Sequence, residues 1–391
     1  MHRYSWAPIA RLRAEPGLQR VLLRSARPLV FMTSSDGGRP RILRLISRKT
    51  VFLPLLLSLL IQLAMSSCSP RQPATQSFHS MGTMASVTVA AGYRERLPQS
   101  AEVVRAVFRR IESELSTYQR DSEISRLAEA AGRSPLKLSA ETYRVLELSK
   151  EYGELTLGAF DVTVAPLVRL WGFGGQARHN TPAPELIQER LRLVDFRKIE
   201  LSEGTGFLPA GMSVDLGGIG KGYAVDLAYE ALRRSGFGAA MVDLGGNIRV
   251  LGRAEPEENW MIGVRNPFDK EQVLGKISLI DGMAVATSGN YERFVEMSGR
   301  RYSHIIDPRT GYPVEGMAGV TVISLNATIA DALSTGFFVL GRDPSRDVLR
   351  KLPGTEVLFI PDRDPVEIWL TPGMVRLFSP LPEFASSVRN L

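Results

Sequence analysis

Between Ala101 and Leu115 the apolar residues Val104, Val107, Phe108, Ile111 and Leu115 recur every three or four positions, the spacing of one helix face. A second helix is expected from Ala140 to Gly153. Met84 to Ala90 alternates apolar against polar instead, which predicts a strand with one buried face. From Ser213 the pattern runs strand, glycine loop, helix, strand, over Ser213–Leu216, Gly217–Gly222, Tyr223–Ser235 and Ala239–Leu244. Further strands are predicted near Trp260–Arg265, Gly275–Leu279, Met283–Thr287 and Gly319–Ser324. Asn326 stands as the N-cap of a helix over Ala327–Leu340, which Gly341 stops. Regular strand–helix–strand alternation is too sparse for a doubly wound sheet. The expected fold class is therefore mixed α/β (α+β), a central sheet or sheets with interleaved helices, in one body or two lobes. Val-Asp-Leu-Gly-Gly occurs at Val214–Gly218 and again, 28 residues on, at Val242–Gly246. We read the two copies as neighbouring strands turning at one edge of a sheet, not as a solenoid repeat.

Charge changes the picture at one end only. The chain of 391 residues carries a formal +7, but residues 1–49 hold eleven Lys or Arg against Glu15 and Asp36, leaving −2 on the rest. A basic segment confined to the N-terminus gives the folded part no electrostatic footprint for nucleic acid. Arg44, Arg48 and Lys49 instead precede an apolar run, Val51–Met65, broken by Pro54, Ser58 and Gln62 and followed by Ser66, Ser67 and Cys68. That is a signal-peptide layout, too short for a bilayer span of about 20 residues. Cys68, the single cysteine, is the expected lipid attachment site, although Met65 is an imperfect match to the usual lipoprotein signal. Residues 1–43 exceed what a signal needs, so the true start is expected later, at Met32 or at a non-Met codon beyond it. The expected organisation is an N-terminal extension and signal (1–68), a Ser/Pro/Gln/Thr tether (69–77) and one domain (78–391), exported and held to the membrane. Without Cys68 in the folded part no disulfide is available, and the core alone must stabilise the domain.

Three segments carry candidate chemistry. Asp215–Gly222 fails both familiar phosphate signatures on spacing: Asp215 stands where a P-loop needs glycine, and Gly218, Gly220 and Gly222 merely alternate. Physically, its glycines let backbone groups approach a ligand, the following helix offers a positive N-terminus, and Lys221 adds a donor for phosphate. The loop is by itself either a tight structural turn or a ligand loop. Asp331 and Thr335, four apart on the Ala327–Leu340 helix, place a carboxylate and a hydroxyl on one face, which we expect to border a solvent-filled cleft. Both are hard oxygen donors, as Mg²⁺ prefers, and a loop carbonyl would suit the set. The alternative is an Asp favouring the helix dipole and a Thr bonding backbone. Of the four histidines, His304 is best placed for catalysis, at the end of a short strand before the Asp307-Pro308 turn. His2, His79 and His179 lie in the presequence, beside the tether and in a Gly/Asn/Pro-rich loop. A satisfied structural histidine is the alternative.

Taken in order, Met81–Met84, Ser116-Thr117-Tyr118 with Asp121–Ser125, Gly158–Asp161, the Asp215 loop, Ala286–Tyr291, Ser303–Pro308 and Asp331–Thr335 resemble the motifs of the FAD:protein FMN transferase (ApbE) family. The resemblance implies that Met81, Tyr118, Ala159, Phe160, Asp161, Asp215, Lys221 and Ile305 hold FAD. It implies that the Gly218 carbonyl, Asp331 and Thr335 hold Mg²⁺. Gly218 departs from the Ala or Ser frequent in the family, but a carbonyl ligand does not depend on the side chain.

The activity so implied is attack by an acceptor threonine hydroxyl on the FMN-side phosphorus of FAD, releasing AMP. Mg²⁺ and Lys221 would neutralise the pyrophosphate. His304 is the expected base and Asp307 its orienter. The acceptor implied is an exported segment of a membrane electron-transfer subunit or a periplasmic flavoprotein. Two other readings remain open: hydrolysis of FAD to FMN and AMP, and an FAD-binding lipoprotein without turnover.

Overall fold

Nine strands build the central sheet, and their spatial order follows their order in the chain. They are β1 (Ala74–Ser80), β2 (Thr83–Val89), β3 (Ala240–Leu244), β4 (Asn247–Leu251), β5 (Ala284–Gly289), β6 (Met317–Ser324), β7 (Glu356–Pro361), β8 (Ile368–Leu370) and β9 (Val388–Asn390). Every neighbouring pair is antiparallel except β8 with β9. The computed structural model describes residues 72–173, 180–292, 294–297 and 299–391. Cys68, the signal-like segment and His179 lie outside them. Residues 70–391 form one compact unit, so the alternative of two lobes falls away.

The side-chain period of two sorts residues between the sheet's faces. Val357 and Phe359 of β7, with Val320 and Val322 of β6, pack under Leu333, Phe337 and Phe338 of a helix. The intervening Leu358 and Ile360, with Ile323, face Trp260, Leu274 and Ile277. Those three belong to a separate three-stranded sheet of Trp260–Arg265, Val273–Leu279 and Phe378–Pro380. Covered on both sides, β6 is buried at all eight positions, and its sequence accordingly reads as a nearly continuous apolar run. The principal helices are α1 (Leu97–Leu115), α2 (Ala140–Leu155), α3 (Gly220–Arg234) and α4 (Ala327–Leu340).

Two expectations fail. The segment 69–77 is not all tether, because Ala74–Ser77 already belongs to edge strand β1 and pairs with β2. Its polar residues gave a linker composition, yet an edge strand keeps its outer face in water and needs little apolar content. Ser213–Leu216 is not a strand. Val214 and Leu216 are buried in the core, while the backbone is fixed by the Asp215 amide donating to Val162 O at 2.6 Å. The two Val-Asp-Leu-Gly-Gly copies therefore differ: one is a loop entering α3, the other is β3 turning through Gly245 and Gly246, at φ 61° and 86°, into β4.

Candidate active site

The starts of α3 and α4 meet at the centre of the site. α4 is capped by Asn326, whose Oδ1 accepts from the Ile329 amide at 2.8 Å. Its first amides are held from the other helix: Ala327 N and Thr328 N donate to Asp226 of α3 at 2.8 and 2.9 Å. In return the Gly222 amide of α3 donates to Oδ2 of Asp331 on α4 at 2.9 Å. Such closeness requires glycine, since a Cβ on Gly222 would stand 2.2 Å from Ala327 O and 2.7 Å from Asp331 Cβ. Asp226 is further fixed by Arg249 of β4, at 2.9 Å.

Asp331 is 4% exposed, so it does not border a solvent-filled cleft. Burial raises its pKa above the ordinary carboxyl value, and the Lys221 charge and the Gly222 amide offset part of that. Lys221 Nζ lies 3.6 Å from Asp331 Oδ1 and donates to Gly217 O at 2.7 Å. One turn along α4, Thr335 Oγ1 is 3.3 Å from Ser288 Oγ, which also bonds Ser334 Oγ at 2.8 Å. Gly218 closes the group: a Cβ there would sit 3.0 Å from Thr335 Oγ1 and 3.2 Å from the Phe160 ring. The fold thus brings together Gly218, Lys221, Asp331, Thr335 and Phe160. Their oxygens form a hard donor set with one carboxylate, which fits an ion that retains water and substrate oxygens. Among the described residues no three His, Cys, Asp or Glu side chains group to hold a metal, and Asp331 is the one carboxylate of this set.

The other expected ligand residues divide. Met81 and Gly82 make the two-residue turn between β1 and β2, with φ of 47° and 71°. The Met81 amide donates to Glu112 Oε2 at 3.2 Å. Tyr118 is 73% exposed, on a turn where Ser116 Oγ accepts from the Tyr118 and Gln119 amides. Ala159 and Ile305 are buried in one cluster with Leu333 of α4, which joins the His304 segment to the site. The Asp161 carboxylate accepts from Thr163 N, Thr163 Oγ1 and Phe196 N at 2.6–3.0 Å, which fixes the backbone of the Gly158–Asp161 segment. Asp215 Oδ1 accepts from the Gly217 amide at 2.8 Å and shapes the glycine loop.

His304 follows the Arg300–Ser303 strand, as expected, and meets the Phe173 ring edge-on at 6.5 Å between centroids. Asp307, expected to orient it, is engaged elsewhere. Its two oxygens take the Arg309 guanidinium at 2.8 and 2.9 Å, and Oδ1 also takes the Arg309 amide. This pairing braces the Asp-Pro turn.

Three residues escaped the sequence reading. Asp226 sits four positions after Gly222, so helical spacing alone would have put it on the same face. Ser288 lies within the quoted Ala286–Tyr291 motif. Asn247 directly follows the second Val-Asp-Leu-Gly-Gly copy.

The family model described as the ApbE family matches residues 81–359. The chain belongs to the ApbE family. The FAD:protein FMN transferase of Haemophilus influenzae is 36% identical over 260 residues, 64% of this chain and 75% of that protein. The Treponema pallidum protein of the same name is 36% identical over 280 residues, 67% of this chain and 77% of its own length. Among solved structures, the ApbE protein of Thermotoga maritima superposes with a TM-score of 0.69 at 31% identity, covering 81% of this chain and all of that one. The flavin transferase ApbE of Vibrio cholerae gives 0.70 at 30% identity, with 79% and all covered. These likenesses extend across the ApbE domain and agree with its mixed α/β fold.

Proposed function

We propose that this ApbE protein transfers the FMN half of FAD to a threonine hydroxyl of an acceptor protein, with Mg²⁺ bound by Asp331, Thr335 and the Gly218 carbonyl. The observation that carries the reading is the convergence of those residues with Lys221 between the starts of α3 and α4. The related proteins named FAD:protein FMN transferase support it. When bound, Mg²⁺ supplies positive charge against the pyrophosphate oxygens. Lys221 faces the same phosphates and stabilises charge on the departing one. Met81, Tyr118, the backbone of Ala159–Asp161, the Asp215 loop and Ile305 border the nucleotide. The acceptor oxygen forms a bond to the FMN-side phosphorus and the bridging P–O bond breaks. AMP leaves with that electron pair, and the hydroxyl proton passes to His304.

The exported, lipid-anchored location belongs to the same proposal, with Cys68 as the modified residue and the domain facing the periplasm. The acceptor is then a periplasmic flavoprotein or an exported segment of a membrane electron-transfer subunit. No helix among the described residues is long and apolar enough to cross a membrane, so lipid at Cys68 would supply the attachment. Cys68→Ser should release the protein from the membrane fraction and leave soluble turnover unchanged.

The deciding experiment incubates the protein with FAD, Mg²⁺ and candidate acceptors and follows acceptor mass and AMP together. A covalent FMN adduct with matching AMP supports transfer. Rapid AMP release without acceptor shows hydrolysis, and intact bound FAD in the presence of Mg²⁺ shows a carrier without turnover; either overturns the reading.

A further inference from the structure

Asn247, the first residue of β4, is 3% exposed. Its Nδ2 reaches Leu244 O at 3.4 Å, whereas its Oδ1 is buried without a hydrogen-bond partner among the described residues. Buried polar groups in native proteins are nearly always bonded, and an exception calls for an explanation such as an absent ligand. Packing alone does not supply one, because an apolar side chain of similar size would fill the position without desolvating a carbonyl.

Strand geometry locates the orphan oxygen. Residues two apart on a strand share a face, and Arg249 turns toward α3, bonding Asp226 and lying 3.9 Å above the Tyr229 ring. Asn247 therefore projects into the same helix layer. β4 and β5 pair antiparallel as Arg249 with Ala284 and Ile248 with Val285. Continuing that register sets Asn247 opposite Ala286, one step before Ser288 on the same face. α4 is pinned over this floor at two points: its start is tied to Asp226, the partner of Arg249, and Ser334 and Thr335 are tied to Ser288. Asp331 falls between those points along α4. By the same register, Asn247 belongs to the step of the floor between those two points.

We infer that Asn247 is a further ligand-binding residue of this site, whose Oδ1 accepts a hydrogen bond from an O–H donor of the loaded state. That donor is either a water on the hydrated cation or a hydroxyl of the flavin nucleotide. The inference rests on the FAD and Mg²⁺ reading above. It also accounts for a polar side chain whose unpaired oxygen is a liability to the empty protein, a common arrangement where stability is traded for binding.

Asn247→Leu removes the acceptor at similar volume. Its melting temperature without ligand should equal or exceed wild type, and its affinity should fall about tenfold or more in at least one of three titrations. The titrations are Mg²⁺ alone, FAD in EDTA, and FAD with Mg²⁺. Loss with Mg²⁺ alone identifies a metal-bound water, and loss with FAD in EDTA identifies a nucleotide hydroxyl. Asn247→Asp keeps an acceptor oxygen and should retain affinity. The inference is overturned if Asn247→Leu binds like wild type in all three titrations, or if Asn247→Asp binds as weakly as Asn247→Leu. Should Asn247→Leu fail to fold, Asn247→Ala gives the same affinity comparison. A wild-type protein that binds no FAD would overturn the underlying functional reading instead.

Discussion

Asp226 on α3 and Asp331 on α4 each hold the start of the other's helix, through two α4 amides in one direction and the Gly222 amide in the other. Orphan amides at a helix start attract carboxylates, and here the partners come from across the fold. Asp226→Ala removes the bonds from the Ala327 and Thr328 amides and from the Thr328 hydroxyl, and leaves the half-buried Arg249 without its carboxylate partner. We expect a loss of about 2–4 kcal/mol, the scale of a cap plus a partly buried ion pair broken on one side. Chemical denaturation checks this, and wild-type stability would refute the mutual anchoring.

Asp331 makes the stability of the metal-free protein depend on pH. Its carboxyl pKa is raised in the folded state by burial, so the folded protein takes up that proton more readily than the unfolded chain. The contribution is favourable at low pH and is lost as pH rises from about 4, the ordinary carboxyl value, through the raised folded value. Asp161 and Asp243 are shifted the same way by burial, so the informative quantity is the difference between wild type and Asp331→Asn. In EDTA the variant should lack part of the decline in melting temperature that sets in as pH rises above about 4. With FAD, Mg²⁺ and acceptor it should form no adduct. Parallel pH profiles would contradict the assignment of the shift to Asp331.

For His304, one substitution separates chemistry from packing. His304→Asn keeps polarity and approximate size but removes the proton acceptor. FAD binding should persist while single-turnover transfer falls by about two orders of magnitude or more, the scale of general-base help. An unchanged transfer rate with weakened FAD binding would reduce His304 to a side chain that packs, as its edge contact with Phe173 already does.

Met81 occupies a left-handed backbone position in a two-residue hairpin turn, where Asn or Gly is the usual choice. Holding a methionine there costs on the order of 1 kcal/mol. Met81→Asn relieves that strain but gives up the side chain's packing against the core, so the melting temperature should change little, while under the proposed reading FAD affinity should fall. A variant with unaltered FAD affinity would remove Met81 from the binding surface.

Legibility in the sequence depended on whether the deciding contacts were local. The bounds of α4 were readable to the residue, since Asn326 and Gly341 bracket an apolar run and the cap bond spans three residues. Trp260–Arg265 was equally clear. The chain around Asp215 was not, because Val214 and Leu216 look like strand residues and only a tertiary bond to Val162 fixes them otherwise. β1 was missed for the converse reason: an edge strand can be polar and still pair along its whole length. The site followed the same division. Lys221, Asp331 and Thr335 were nameable as candidates from residue type and spacing, and the Gly218 carbonyl from the family resemblance alone. The contacts of Asp226 and Ser288 with α4 join elements far apart in the chain. Asp161 and Asp307 came from motifs, and only the fold shows what their carboxylates hold: the Thr163 and Phe196 amides for Asp161 and Arg309 for Asp307.

The bond between the Gly222 amide and Asp331 Oδ2 also bears on ion selectivity. With one oxygen held by the backbone, the carboxylate presents mainly Oδ1, the atom facing Lys221, and under the proposed reading would act as a one-oxygen ligand. Mg²⁺, small and octahedral, accepts such a ligand and fills its shell with water and phosphate. Ca²⁺ gathers six to eight oxygens at longer range and commonly takes both from one carboxylate, which would mean pulling Asp331 away from α3. Discrimination between these two abundant ions would then follow from a hydrogen bond between helices, and weakening that bond would be the route to a calcium-tolerant enzyme.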